Sequence, residues 1–101
     1  MSERPASSAE RSSGAAPERH VYVVAFESTH AAMAAASVLE ARGARMIPTP
    51  RAISASCGMS LRFDAPSDGA ARAFAADVPD ARGLAALYAQ EGEGYRLVAQ
   101  L

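Results

Sequence analysis

The residues that most restrict the fold are the seven from His20 to Phe26, which read His-Val-Tyr-Val-Val-Ala-Phe. β-Branched and aromatic side chains dominate this run, and it has no polar face. Such a segment predicts a β-strand that is covered on both faces and lies centrally in a sheet. Residues 1–18 have no branched aliphatic or aromatic side chain to bury. We therefore predict a disordered tail over 1–19 and a single domain over 20–101.

The rest of the domain alternates between helix and strand signals. Ser28 and Thr29 can cap a helix that ends near Gly43, with Met33, Ala36 and Leu39 on its core stripe. The predicted order is a strand at 20–26, a helix at 30–42, a strand at 44–47 that ends at Pro48, a strand at 59–63, a helix that begins at Pro66 and ends at Pro79, and a strand at 84–89, with residues 95–99 extended. This order predicts an α+β fold, the ferredoxin-like βαββαβ sandwich with an antiparallel sheet and two helices on one face.

Two of these segments carry further detail. Residues 59–63 alternate, so that Ser60 should share an open face with Arg62 while Leu61 faces the core. In the second helix, Ala71, Phe74 and Val78 should form the core stripe.

Composition excludes several classes of function. The net charge is −1, and all ten basic residues are arginine, so no overall field attracts nucleic acid. One cysteine excludes an intrachain disulfide and an all-cysteine metal site, and we predict neither a metal nor a cofactor. No export signal or membrane-length apolar run is present, so a cytoplasmic location without membrane contact is expected. Large apolar residues are few, which leaves room for a homodimer that completes a sheet edge.

The one cysteine, Cys57, lies in the segment Pro-Thr-Pro-Arg-Ala-Ile-Ser-Ala-Ser-Cys-Gly over residues 48–58. Small flanking residues and the preceding prolines predict a displayed thiol. In the predicted topology the first two strands are parallel, with the third between them. The turn at residues 27–30 and the loop with Cys57 should therefore meet at one end of the sheet.

That neighbourhood predicts an activated thiol. The first turn of a helix carries partial positive charge, and a cation such as Arg51 beside the sulfur would favour the nucleophilic thiolate. His30 could move a proton, and Gly58 would free the backbone to turn. The hydroxyls of Ser54 and Ser56 could bond a sulfur or an oxyanion.

Ordinary explanations stand beside each of these roles. A free cysteine is often a buried, inert residue, and His30 in a first helical turn is more often solvated than catalytic. Ser28 and Thr29 are primarily helix caps, and Arg51 could bond only loop carbonyls. Phosphate-loop, dinucleotide and serine-triad patterns are absent, so a stand-alone enzyme is disfavoured.

Two motifs resemble the selenium/sulfur carrier protein-like family, a family of small bacterial domains. They are Phe-x-Ser-Thr-His at 26–30 and Pro-x-Pro-Arg-x-Ile-Ser-x-Ser-Cys-Gly at 48–58, within a similarity over roughly residues 20–98. The resemblance implies that Cys57 carries sulfur or selenium as a persulfide or selenopersulfide, with Gly58 beside it. The other matching positions, to which the resemblance assigns no role, are Ser28, Thr29, His30, Arg51, Ser54 and Ser56.

Three functions follow from these residues, in order of preference. The first is a carrier that receives the chalcogen from a donor such as a cysteine desulfurase and passes it to an unknown acceptor protein. The second is a small-molecule or anion-binding regulatory module in which Cys57 is structural. The third is a redox sensor that forms a mixed disulfide through Cys57.

Overall fold

The structure, a computed structural model, describes residues 19–78 and 83–101. The predicted tail, apart from Arg19, lies outside these residues. The described elements are β1 (His20–Phe26), α1 (Thr29–Leu39) with a 3-10 turn (Glu40–Arg42), β2 (Arg45–Pro48), β3 (Met59–Ala65), α2 (Asp68–Ala75), β4 (Ala85–Glu91) and β5 (Gly94–Gln100). These strands form one antiparallel sheet in the order β2-β3-β1-β4-β5. The predicted α+β class and antiparallel sheet are confirmed.

The strand count differs from the prediction, because the C-terminal segment forms a fifth strand. Gly92 has a positive φ of 60° and turns the chain so that β5 pairs with β4. Residues 95–99 were expected only to be extended. The sheet therefore does not have the four strands of the predicted ferredoxin-like sandwich. The pairing of an edge strand such as β5 depends on the turn that returns it to its neighbour.

Both helices pack on one face of the sheet, as predicted. Tyr22, Val24 and Phe26 point to this face, and the core there is completed by side chains of β3, β4 and the helices, among them Leu61, Phe63 and Leu87. The Phe63 ring stacks between Tyr22 and Phe74, with centroid separations of 5.8 and 4.2 Å.

The buried stripe of α1 consists mainly of alanine. Its buried members are Ala31, Ala32, Ala35, Ala36 and Leu39. Met33, predicted on this stripe, is instead 60% exposed. The prediction for Met33 is wrong because the alanines face the sheet, and a residue two positions along the chain from Ala31 and Ala35 lies on the other side of the helix.

The second helix begins later than predicted. Ser67 is its N-cap and accepts a hydrogen bond from the Ala70 amide, so Pro66 precedes the cap and does not open the helix. Ala71 is buried, and Phe74 and Val78 pack against the core as predicted, although Val78 follows the end of α2. The predicted end at Pro79 lies outside the described residues.

Pro48 is the last residue of β2, whereas it was predicted to follow the strand. β2 is an edge strand, where the missing N–H of proline leaves no ladder bond unmade. None of the helices in the described ranges is long and apolar enough to cross a membrane.

Candidate functional site

The sheet topology brings the two sequence motifs together, as predicted. β1 and β2 both run antiparallel to β3, which lies between them. The turn after β1 and the loop between β2 and β3 therefore meet at one end of the sheet. The Cys57 amide donates to the Phe26 carbonyl at 3.0 Å, and Thr29 Oγ1 lies 3.7 Å from Cys57 Sγ.

The Cys57 side chain is buried, so the prediction of a displayed thiol is wrong. Only 5% of the residue is exposed, and it packs against the core on the helix side of the sheet. The small neighbours that suggested display instead allow the loop to fold closely against the sheet end. The thiol nevertheless lies beside the opening turn of α1, where it was expected.

The loop at residues 49–58 straddles the end of the sheet. Ile53 is 5% exposed and packs with Val23 and Ala25 on the face opposite the helices, while Cys57 packs on the helix face. This loop explains why β1 is buried on both sides. The loop is consequently anchored by apolar side chains on both faces of the sheet.

Glu27 holds the loop from the outside, a contact that sequence analysis missed. Its carboxylate oxygen accepts hydrogen bonds from the Ser56 amide at 3.1 Å and from the Ser56 hydroxyl at 2.7 Å. The signal available was an acidic residue directly after a buried strand. That signal is common and names no partner, so only the folded loop identifies Ser56.

A second polar contact, also missed, closes the base of the loop. Thr49 Oγ1 donates to the Cys57 carbonyl at 3.0 Å and lies 2.7 Å from Ser60 Oγ. A hydroxyl has one hydrogen, so Ser60 donates to Thr49. Ser60 is fully buried. The prediction that Ser60 lies on an open face of the strand is therefore wrong, because the loop covers that face at Ser60.

The remaining predicted site residues are only partly gathered around the sulfur. Ser28 caps α1 by accepting from the Ala31 amide at 3.2 Å, which is its ordinary role. His30, Arg51 and Ser54 are exposed, and within residues 19–78 and 83–101 none of their side chains forms a hydrogen bond or ion pair. Arg51 was predicted to place a cation beside the sulfur, and it makes no such contact within the described residues.

Gly58 does not need the backbone freedom that was predicted for it. Its φ is not positive, and an added Cβ would have no atom within 4 Å. The open space next to Gly58 lies directly beside the thiol residue in the chain. An added side chain at this position would therefore meet no other part of the described structure.

The helix start offers hydrogen-bond donors to an anion. The amides of Thr29 and His30 begin α1 and have no partner within the helix, and the helix dipole adds partial positive charge. The Thr29 hydroxyl, in contact with Sγ, can donate to a thiolate.

Comparison with known proteins identifies the family. A family model described as "Putative Se/S carrier protein-like" matches residues 21–78. The chain belongs to this family. The predicted resemblance is confirmed, and the matched region contains both the turn and the loop that form the site. No curated protein and no solved structure matches the chain.

Three exposed apolar side chains lie on segments that adjoin the loop at residues 49–58 or the turn that contacts it. Met33 lies one turn after Thr29, Met59 begins β3, and the Leu84 carbonyl accepts from the Glu27 amide at 2.8 Å. They are 60%, 38% and 38% exposed, respectively. We call these three residues the apolar rim. Of the large apolar side chains exposed in the described part of the chain, only Leu97 lies elsewhere.

Replacing Ile53 by alanine is expected to expose the Cys57 thiol. Removing the buried side chain costs the closed loop about 2 kcal/mol or more, so the open loop becomes about thirtyfold more populated. The rate of native-state alkylation by iodoacetamide, followed by intact mass, should rise by that factor.

Val98→Ala is the control for Ile53→Ala, because Val98 packs against the core from β5, at the edge of the sheet opposite β2. It should change the alkylation rate only through global unfolding. Equal rates in Ile53→Ala and in the unsubstituted protein would show that Ile53 does not restrain the loop.

A second polar cluster lies at the opposite end of β1, beside a cleft of about 300 Å³. Asp68 accepts from Tyr22 Oη at 2.8 Å and pairs with Arg96, which also binds Glu91. The hydrogen bonds from Arg96 and then Tyr22 lower the pKa of Asp68, whereas burial and then Asp68 raise the pKa of Tyr22. The pairing of Asp68 therefore stabilises the fold at pH values above the ordinary pKa of an aspartate. This stabilisation is lost as the pH falls through the lowered pKa of Asp68.

Proposed function

We propose that this protein carries sulfur or selenium on Cys57 as a persulfide or selenopersulfide. The observation that supports this most directly is the position of the sole cysteine: Sγ lies 3.7 Å from the hydroxyl of Thr29, the first residue of α1. Membership of the Se/S carrier protein-like family supports the same class of function. The proposal assigns this chemistry to the reducing cytoplasm, where a lone thiol stays reduced between loading cycles.

The transfer step needs a thiolate and no cofactor. The Cys57 thiolate attacks the terminal sulfur of a donor persulfide, a new S–S bond forms, and the donor's S–S bond breaks. The donor leaves as a thiolate and takes up the proton that Cys57 lost. No net oxidation or reduction occurs, since the transferred sulfur keeps its oxidation state. Because the chain has no second cysteine, no internal thiol can displace the bound sulfur.

The loop at residues 49–58 has to move for each transfer, because a residue that is 5% exposed cannot reach a donor's sulfur. The Glu27–Ser56 contact is exposed, so a partner can compete for it. In the closed state the same loop would shield a bound persulfide from water and small thiols. Thr29 would donate its hydroxyl hydrogen to the sulfur when it is negatively charged.

The apolar rim supplies the surface on which a donor, such as a cysteine desulfurase, or an acceptor protein would dock. Exposed methionines adapt to different partners because their side chains are flexible and polarisable. Met33→Ser combined with Met59→Ser should slow loading from a desulfurase about tenfold. Loading from inorganic polysulfide, which needs no docking, should keep its rate.

Leu97→Ser is the matched control for the rim, since Leu97 is 49% exposed on β5. It should leave both loading rates unchanged. Equal slowing by all variants, or slowing with polysulfide as well, would count against a docking role for the rim.

The experiment that tests the carrier role is intact mass spectrometry of the whole chain. After incubation with an active cysteine desulfurase and cysteine, the chain should gain the mass of one sulfur atom, and dithiothreitol should remove it. Selenocysteine as substrate tests selenium in the same way. A chain that gains neither atom, while the desulfurase produces sulfide normally, is not a carrier.

The burial of Cys57 favours a second candidate, the regulatory module in which the thiol is structural. A small apolar group packed against the core contributes to stability whether or not it reacts. In that case a ligand would bind elsewhere, and alkylation of Cys57 would require unfolding.

A further inference from the structure

A groove of about 250 Å³ lies where β2 begins, at the end of that strand away from Cys57. It is lined by Gly43, Arg45, Arg62, Phe63 and Asp64. β2 starts at Arg45, opposite Arg62, whereas β3 continues to Ala65. The last residues of β3 therefore extend past β2, and this step forms the groove. We call it the arginine groove.

Positive charge is concentrated at this groove. Arg45 and Arg62 are direct partners in the β2–β3 ladder, so their side chains share one face with Cβ atoms about 5 Å apart. Asp64 faces Val21 in the β1–β3 ladder, and Arg19 donates from Nη2 to the Asp64 carbonyl at 2.9 Å. The lining of the groove thus carries two guanidinium groups and one carboxylate, and a third guanidinium, that of Arg19, binds the backbone beside it.

The arrangement is unfavourable without a counter-ion. Like charges directly opposite each other in a sheet destabilise the pair. Within the two described ranges, no carboxylate oxygen lies within 4 Å of the Arg45 or Arg62 guanidinium, whereas Arg42 and Arg96 each pair with an acidic side chain. The whole chain has a net charge of −1, so this local excess does not reflect its composition.

We infer that the arginine groove binds a phosphate group. A phosphate dianion placed between Arg45 and Arg62 would convert their repulsion into two attractions. Guanidinium groups present paired donors that match the oxygens of a phosphate. The groove is independent of Cys57, so this inference does not rest on the carrier role.

The phosphate can belong to a small molecule or to a nucleic-acid backbone. The row of side chains that contains Arg45 and Arg62 continues through Val23 to Tyr88, and Tyr88 is only partly buried. Two strand spacings, about 10 Å, separate Arg62 from Tyr88. Val23, in the middle of this row, is fully buried and packs against Ile53, so the row assigns a contact to the phosphate and none to an attached base.

Titration calorimetry with inorganic phosphate, uridine monophosphate and a short oligouridine tests the inference at constant ionic strength. Arg62→Gln and Arg45→Gln should each weaken phosphate binding at least about tenfold and remove the rise in Tm that phosphate causes. Arg72→Gln removes the same charge from α2 and should change neither measurement.

The three ligands distinguish the sources. If uridine monophosphate binds more tightly than oligouridine, the natural ligand is a small molecule, and the reverse order indicates a nucleic-acid backbone. Both outcomes support phosphate binding in the arginine groove. Absence of phosphate binding at millimolar concentration, or equal weakening by Arg72→Gln and Arg62→Gln, would overturn it.

Discussion

Replacing Cys57 by serine is expected to abolish uptake of sulfur and selenium completely while leaving the protein folded. The chain has no other thiol, so no second site can form a persulfide. Serine is slightly smaller than cysteine, and its hydroxyl could pair with Thr29 Oγ1, which already contacts Sγ. Circular dichroism should therefore stay native, and intact mass after desulfurase treatment should show no added atom.

Ser56→Ala is the matched control for the cysteine variant. It changes the neighbouring residue and removes one of the two bonds to Glu27, but it keeps the sulfur. Loading should persist in Ser56→Ala, and it should become faster because the loop is held less firmly. If Cys57→Ser took up a chalcogen atom as the unsubstituted chain does, the assignment to Cys57 would be wrong.

The Cys57→Ser variant also separates the three candidate functions. A regulatory module with a structural cysteine would retain its ligand affinity in Cys57→Ser. A redox sensor would form a disulfide-linked dimer, or a mixed disulfide with a small thiol, under mild peroxide, and this product would be absent from Cys57→Ser. If the protein is a carrier, the unsubstituted chain would take up sulfur or selenium without an oxidant, and Cys57→Ser would take up neither.

Replacing Phe63 by alanine is expected to lower the free energy of unfolding by about 3–5 kcal/mol. Phe63 stacks between Tyr22 and Phe74 and is only 4% exposed, so it joins β1, β3 and α2. Much of the remaining core is alanine, whose side chains cannot move to fill the space. A domain of this size has a total stability of roughly 5–15 kcal/mol, so a large part would be lost. Urea denaturation measures the change.

Phe63→Leu and Leu97→Ala provide the comparison. Leucine keeps most of the buried volume and should cost less than alanine at the same position. Leu97 is half exposed on the edge strand, so its truncation should change stability by no more than about 0.5 kcal/mol. A loss below about 1 kcal/mol in Phe63→Ala would show that the aromatic stack is not central to the core.

The prediction of the site from sequence succeeded where connectivity controlled the geometry. A buried strand at His20–Phe26, followed by a capped helix and a strand pair, places the turn and the Cys57 loop at the same end of the sheet. The contact between Cys57 and the carbonyl of Phe26 follows from that order of elements. The family motifs lie in these same two segments, so they indicated the right residues.

The prediction failed where the outcome depended on residues distant in sequence. Cys57 and Ser60 become buried because Ile53 draws the loop onto Val23 and Ala25, a contact between segments about thirty residues apart. Local composition around Cys57, rich in small residues, is compatible with either an exposed or a closely packed loop. β5 was missed for the same reason, since an edge strand is defined by its partner.

Hydrophobic pattern and turn chemistry along the chain were enough to establish the central strand, the first helix and the meeting of the two motifs, because each depends on neighbouring residues or on chain order. Only the folded structure established that the thiol is closed off, that Glu27 and Thr49 hold its loop, and that Arg45 faces Arg62. Those features depend on strand register and on packing across the sheet, which bring together side chains that no local pattern connects.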